Sequence, residues 1–419
     1  MPPDPARERS PIAGISLNVF ILGVVSFCTD ASTEMIYPLI PLFLTQTLGA
    51  PMAVLGVIEG LAEATASVLK GVSGWVSDRV GLRRPLVIGG YGLAALAKPL
   101  LALAGGWPMA LAARVLDRFG KGLRGTPRDA LIADSSEPAL RGRAFGFHRS
   151  ADQAGAVLGP LLALPLLSLF HQNYRAVFVV AVIPAAIGVA TLVAVRETGR
   201  RGKAVRATPA DDDRREGNRG QPGPSPRRTA EAVPRLQAAS WGTGFRGFLG
   251  AMLLFALGNS SDVFLIVRAR QVGLTPQQIV LLFAAFNLTY VLSAYPAGVV
   301  SDRIGRRRVM VAGLGVFALV YLGFGLVGAP FWVCVLFLVY GLYQGLTDGT
   351  SRALVVDLVP PEHRATALGF YSMATGLATF LASAIGGLLW QWCGAPATFL
   401  YGAVLAAGAA LLLAKPVKM

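Results

Sequence analysis

Runs of apolar residues about 20 long, the length an α-helix needs to cross a hydrocarbon core, recur at 14–45, 51–78, 84–105, 107–134, 142–170 and 174–196. They return at 246–272, 275–302, 307–328, 330–357, 364–391 and 395–415. This pattern predicts an all-α membrane protein of twelve transmembrane helices, with a six-helix bundle over 14–196 and another over 244–415. The interval 197–243 is rich in Arg, Asp, Pro and Gly and has no hydrophobic period. Such a segment cannot bury enough apolar surface to fold, so it reads as a disordered cytoplasmic linker. Residues 1–13 and 416–419 read as short tails.

Composition agrees with the pattern. The chain has 419 residues, of which 54% are hydrophobic and only 15% charged, with a mean hydropathy of +0.56; soluble domains average about 25% charged. The net charge of +15 raises the question of nucleic acid. However, Lys and Arg gather at 79–84, 141–143, 196–235, 303–308, 363–364 and 415–418 and are missing from the loops between. That is the positive-inside pattern, so the charge reports topology rather than a nucleic-acid partner. It places both termini in the cytoplasm of an inner (plasma) membrane protein, with the first span an uncleaved signal-anchor. Cys28, Cys334 and Cys393 lack metal-ligand spacing, and no disulfide framework, metal or cofactor is called for.

Two loops are near copies: Gly74-Trp75-Val76-Ser77-Asp78-Arg79-Val80-Gly81-Leu82-Arg83-Arg84 and Gly298-Val299-Val300-Ser301-Asp302-Arg303-Ile304-Gly305-Arg306-Arg307-Arg308. The repeat extends further, since Asp134 and Asp357, like Arg141 and Arg364, are 223 positions apart. Here the chain resembles the major facilitator superfamily, whose loop between helices 2 and 3 reads Gly-x-x-x-Asp-Arg-x-Gly-Arg-Arg with a weaker copy between helices 8 and 9. The resemblance implies two pseudo-symmetric six-helix bundles around a midplane site. It also implies a gate built from Gly74, Asp78, Arg79, Gly81 and Arg84 and from Gly298, Asp302, Arg303, Gly305 and Arg308. In that gate Asp78 and Asp302 are expected to meet the N-terminal end of a helix of the opposite half when the carrier faces outward.

An ionisable side chain inside a span costs about 2.5–3.5 kcal/mol and marks a pathway by default. The fourth span carries Arg114, Asp117, Arg118, Lys121, Arg124 and Arg128, which fall within an arc of about 120° at 100° per residue. That face is expected to line a wet cavity and make it cationic. Arg118-Phe119-Gly120-Lys121-Gly122 resembles the superfamily's Arg-x-x-Gln-Gly motif, with Lys for Gln; the resemblance makes Arg118 the arginine that tunes a proton-carrying carboxylate. Asp30 and Glu34, one turn apart on the first span, are the expected proton carriers. Glu59, Glu63 and Lys70 share a stripe on the second span, either as an ion-pair ladder against the fourth or as transport residues. Arg124 and Arg128 either join Lys121 in attracting an anionic part of a substrate or pair with Asp129, Asp134 or Asp152. In the second half Asn259, Asp262, Gln344, Asp348 and Arg352 are expected to complete the substrate site.

Gly146, Gly155, Gly159 and Pro160 resemble the superfamily's helix-5 antiporter motif, departing from it at Ala163-Leu164. They imply a close approach of helix 5 to the other half and an exporter exchanging solute for protons. The expected function is thus proton-coupled efflux of a small organic solute by alternating access, by a monomer in the bilayer. Uptake or exchange of an organic anion, such as a siderophore or phosphorylated metabolite, is the alternative. A receptor or scaffold stands further off, and no arrangement of catalytic groups suggests an enzyme.

Overall fold

The computed structural model describes residues 15–80, 83–137, 140–197, 242–360 and 363–415. The tails 1–13 and 416–419, linker positions 198–241, Gly81 and the side chain of Asp78 lie outside the described residues.

The first half is built from α1 (Leu17–Ile36), α2 (Met52–Val80), α3 (Arg84–Ala102), α4 (Trp107–Asp134), α5 (Arg141–Leu169) and α6, which runs Tyr174–Val180 and Val182–Thr191. The second half has α7 in two pieces (Thr243–Gly258 and Val263–Gln271), then α8 (Pro276–Ile304), α9 (Arg306–Leu326), α10 (Pro330–Asp357), α11 (Arg364–Cys393) and α12 (Ala395–Ala414). Local chemistry sets several starts. Thr275 and Gln278 form a reciprocal capping box ahead of Pro276, and Asn173 caps α6 by accepting from the Ala176 amide, each satisfying amides the first turn leaves open. Beyond α1, Pro38 and Pro41 cannot donate to an α-ladder, and the chain continues as short helical turns to Thr47.

Among the described residues eleven helices are long and apolar enough to cross a membrane. The twelfth, α4, has the length, at 28 residues, but too many charges.

Helices α1 and α5, α2 and α4, and α3 and α4 pack within the first half, as α8 and α10, α9 and α12, and α9 and α10 do within the second. The halves meet chiefly through α2 against α11 and α5 against α8. Glycines allow the first of these contacts: a Cβ on Gly387 would lie 2.5 Å from the Met52 carbonyl oxygen, and Gly60 is closed in by Phe380 in the same way. At the end away from the basic loops an apolar cluster draws on both halves, including Met35, Leu39 and Phe43 with Phe264 and Phe286, and the Tyr37 and Phe283 rings stand 5.3 Å apart.

The basic end is held by a duplicated clamp. Arg83 Nη1 donates to the Ala130 carbonyl at 2.8 Å and pairs with Asp134; Arg306 Nη1 donates to the Ala353 carbonyl at 2.7 Å and pairs with Asp357 at 2.9 Å. Arg84 and Arg307 likewise bind the terminal carbonyls Val193 O and Leu413 O at 2.9 and 2.6 Å. The loop arginines therefore tie each half to itself. Asp302 pairs with Arg306 of its own half at 3.6 Å. Of the remaining gate residues, Arg79 stacks over Trp75 at 5.0 Å, and Arg303 and Arg308 are exposed. Gly74 has a Thr126 methyl where a Cβ would go, Gly298 faces open space, and Gly305 turns the chain at φ +97, a region that favours glycine.

Candidate functional site

A cavity of about 540 Å³ lies between the halves, within the usual range for small-molecule sites and lined from both sides, by Glu63 and Lys121 on one and Asn259, Tyr343, Gln344 and Asp348 on the other. Arg352 lines it as well.

The basic row of α4 turns elsewhere. Arg114 donates to Glu59 through Nε at 2.8 Å and Nη2 at 2.6 Å, with the two side chains only 2% and 4% exposed. Asp117 stands 3.8 Å from Arg114 and 3.9 Å from Arg118. Arg124 lies over the Tyr91 ring at 4.3 Å, and Arg128 pairs with Asp129 at 3.0 Å. Of the expected cationic face, Lys121 alone is among the cavity-lining residues. The cause is the glycines interleaved with the arginines. A Cβ on Gly120 would strike the Gly90 carbonyl of α3, and one on Gly122 would lie 2.8 Å from the Ala66 carbonyl oxygen of α2, so both helices close over the row and cover it. Of the two readings of Glu59, a rung of an ion-pair ladder against α4 or a transport residue, the first describes its contact: it is the acid of a buried ion pair. Replacing it with alanine leaves Arg114 uncompensated and should destabilise the fold by about 3–5 kcal/mol. Thermal unfolding measures this, and a joint Glu59→Met/Arg114→Met variant should recover most of the loss; a single variant that melts like the parent would contradict the pairing.

Asp30 and Glu34 are half-buried on α1, and Glu34 Oε2 is buried without a hydrogen-bond partner. Asp30 faces Asp152 of α5, carboxyl to carboxyl, within hydrogen-bonding reach. Ser26 Oγ donates to Asp152 Oδ1 at 2.7 Å, and Arg149 Nη1 donates to Asp152 Oδ2 at 3.2 Å. The same guanidinium crosses to the second half, where its Nη2 meets Tyr290 Oη at 3.2 Å and Asp348 Oδ2 at 3.7 Å. Tyr290 in turn donates to Asp348 at 2.9 Å, and Arg352 pairs with Asp348 at 3.0 Å. Neither Arg149 nor Tyr290 was singled out from the sequence as a site residue. Lys98, also missed, is 1% exposed on α3, with Nζ 3.4 Å from Thr33 Oγ1. Its signal was plain: a lone lysine inside an apolar span.

The small residues of α5 also act on another neighbour than expected. Gly159 lies against the Ala31 carbonyl and Glu34 Cβ, and Gly155 against Phe27 and Asp30; both serve the packing of α5 on α1 within the first half, and Gly146 faces open space. Pro160 sits inside the helix. Toward the second half α5 instead accepts from Asn287 Nδ2 at its Ala156 carbonyl, 3.3 Å away.

On the second half α7 breaks between Gly258 and Val263, where Asn259 turns to ψ 78. Tyr321 Oη donates to the freed Ser260 carbonyl at 3.2 Å and the Ser261 amide donates to Ser383 Oγ at 3.1 Å, the re-satisfaction that an interrupted membrane helix needs. Asp262 accepts from Tyr340 Oη at 2.6 Å.

The sequence profile of the Major Facilitator Superfamily matches residues 22–268 and 247–418. The chain belongs to that superfamily. It is 32% identical over 405 residues to an uncharacterized MFS-type transporter of Methanocaldococcus jannaschii, covering 95% of this chain and 94% of that one. A multidrug resistance protein, MdtH of Photorhabdus laumondii, is 34% identical over 153 residues, 35% of this chain and 38% of that one. Among solved structures the superfamily fold is shared with a POT family transporter in complex with a thioalcohol conjugated peptide, at a TM-score of 0.75 and 15% identity over 96% of each chain. The protein is therefore a multi-pass membrane protein of a secondary-transporter family.

Proposed function

We propose that the chain exports a small organic solute in exchange for protons by alternating access across the inner (plasma) membrane, with the basic loops and both termini cytoplasmic. One observation carries the coupling. The facing carboxyls of Asp30 and Asp152 adjoin Arg149, which spans the halves to Asp348 and Tyr290 at the cavity wall. Two carboxyls so placed hold together through a shared proton. With the proton on Asp30, that acid donates to Asp152, which keeps its charge and holds Arg149; departure of the proton sets two like charges against each other and displaces Asp152 together with the bridge to the second half. A proton and the relative position of the halves are thereby linked. Lys121 and Arg124 are the cations acting on Asp30, and Lys121 and Arg118 act on Glu34. Export is favoured by the partial likeness to a multidrug resistance protein. Uptake of an anion rested on the basic face of α4, most of which is engaged inside the first half.

The test uses purified protein in liposomes with an imposed pH gradient. Asp30→Asn should lose solute movement driven by the gradient while retaining solute–solute exchange without one. A variant that still follows the pH gradient would remove Asp30 from the coupling.

A further inference from the structure

We propose that the solute is a zwitterion, carrying one cationic and one anionic group on an uncharged, partly aromatic body. This rests on the carrier reading above and names what its cavity takes. Glu63 and Lys121 are both exposed to the cavity, and among the described residues neither has an ion-pair or side-chain hydrogen-bond partner. The other charges of the wall are already matched, Asp348 by Arg352 and Arg149. Arg114, Arg118 and Arg124, the cations that would tip the balance, are 2%, 6% and 6% exposed. The first half thus presents to the cavity one acid and one base, neither in a direct ion pair; Lys70, exposed on the same stripe of α2 as Glu63, is not among the lining residues. An anion drawn to Lys121 leaves Glu63 without a contact partner when the cavity closes, and a cation drawn to Glu63 leaves Lys121 without one. A molecule with both charges leaves neither, and discrimination follows from the penalty on the unpaired partner. The opposite wall is uncharged where it is not already paired: the amides of Asn259 and Gln344, the rings of Phe255, Tyr343 and Tyr371. These suit stacking and neutral hydrogen bonding, so the charged head lies against α2 and α4 and the body against α7, α10 and α11.

The experiment is equilibrium binding to the full-length purified protein, by calorimetry and thermal shift, with tyrosine and the dipeptide tyrosylglycine as zwitterions. N-acetyltyrosine and tyrosine amide serve as the singly charged forms. At least one zwitterion should bind about tenfold or more tighter than both singly charged forms, the scale of an unpaired polar group in a site. In Glu63→Gln the preference over N-acetyltyrosine should vanish, and in Lys121→Gln the preference over the amide. Both side chains face open space, so neither change threatens the fold. Equal binding of a singly charged form, binding of neither zwitterion, or preferences that survive in both variants would overturn the proposal. Because no gradient is involved, the binding pattern without any flux sinks the carrier reading and leaves the solute class standing. Gradient-driven flux confined to a singly charged solute does the reverse.

Discussion

Replacing Arg149 with alanine should reduce pH-driven solute accumulation in proteoliposomes by about 5–150-fold, the span of a coupling free energy of about 1–3 kcal/mol, with exchange in the absence of a gradient far less affected. The reason is its position. One guanidinium contacts Asp152 of the first half and Tyr290 and Asp348 of the second, so its loss severs the link without removing either the carboxyls or the cavity. Arg149→Lys keeps the charge but not the fork that reaches several partners at once, and should recover only part of the coupling. If accumulation in the alanine variant matched the parent, the contact would be an ordinary half-exposed ion pair of small consequence.

Asp152→Asn should be at least as damaging. The amide retains a bond from Ser26 yet can neither share a proton with Asp30 as an acid nor hold Arg149 by charge. Solute movement should no longer respond to pH, and the pH profile of exchange should flatten. Combined with Arg149→Ala, it should lose little more than either alone, since members of one network are not additive. Losses that multiply would place the two residues in separate roles.

The twelve helices and the basic loops were legible because span length and loop charge are local properties, and the Arg83 and Arg306 clamps repeat at the interval read from the sequence. What was not legible is which neighbour a helix face meets. The row on α4 has the right arc for a cavity, but a periodicity cannot say that Gly120 and Gly122 bring α3 and α2 over it. A ladder of the α2 stripe against α4 was one of two readings, but that Glu59 meets Arg114, 55 positions away, is beyond any local pattern. The glycines of α5 were recognised as close-packing residues while their partner, α1 rather than the other half, was not. Asp152 and Lys98 are different: charges within apolar spans, they were open to the same reasoning applied to Asp30 and Glu34. The break in α7 had its sign in the polar run Asn259 to Asp262 after Gly258, which a span of uniform hydropathy conceals.

The covering of α4 bears on how the protein is made. At about 2.5–3.5 kcal/mol for each charge at a helix centre, this segment gains too little from lipid to partition into it alone as it leaves the translocon. Glu59 of α2 is synthesised first and would wait within the bilayer for Arg114. Stable entry of α4 therefore depends on α2 and α3 being lodged beforehand, which makes the order of biosynthesis itself a condition for this fold.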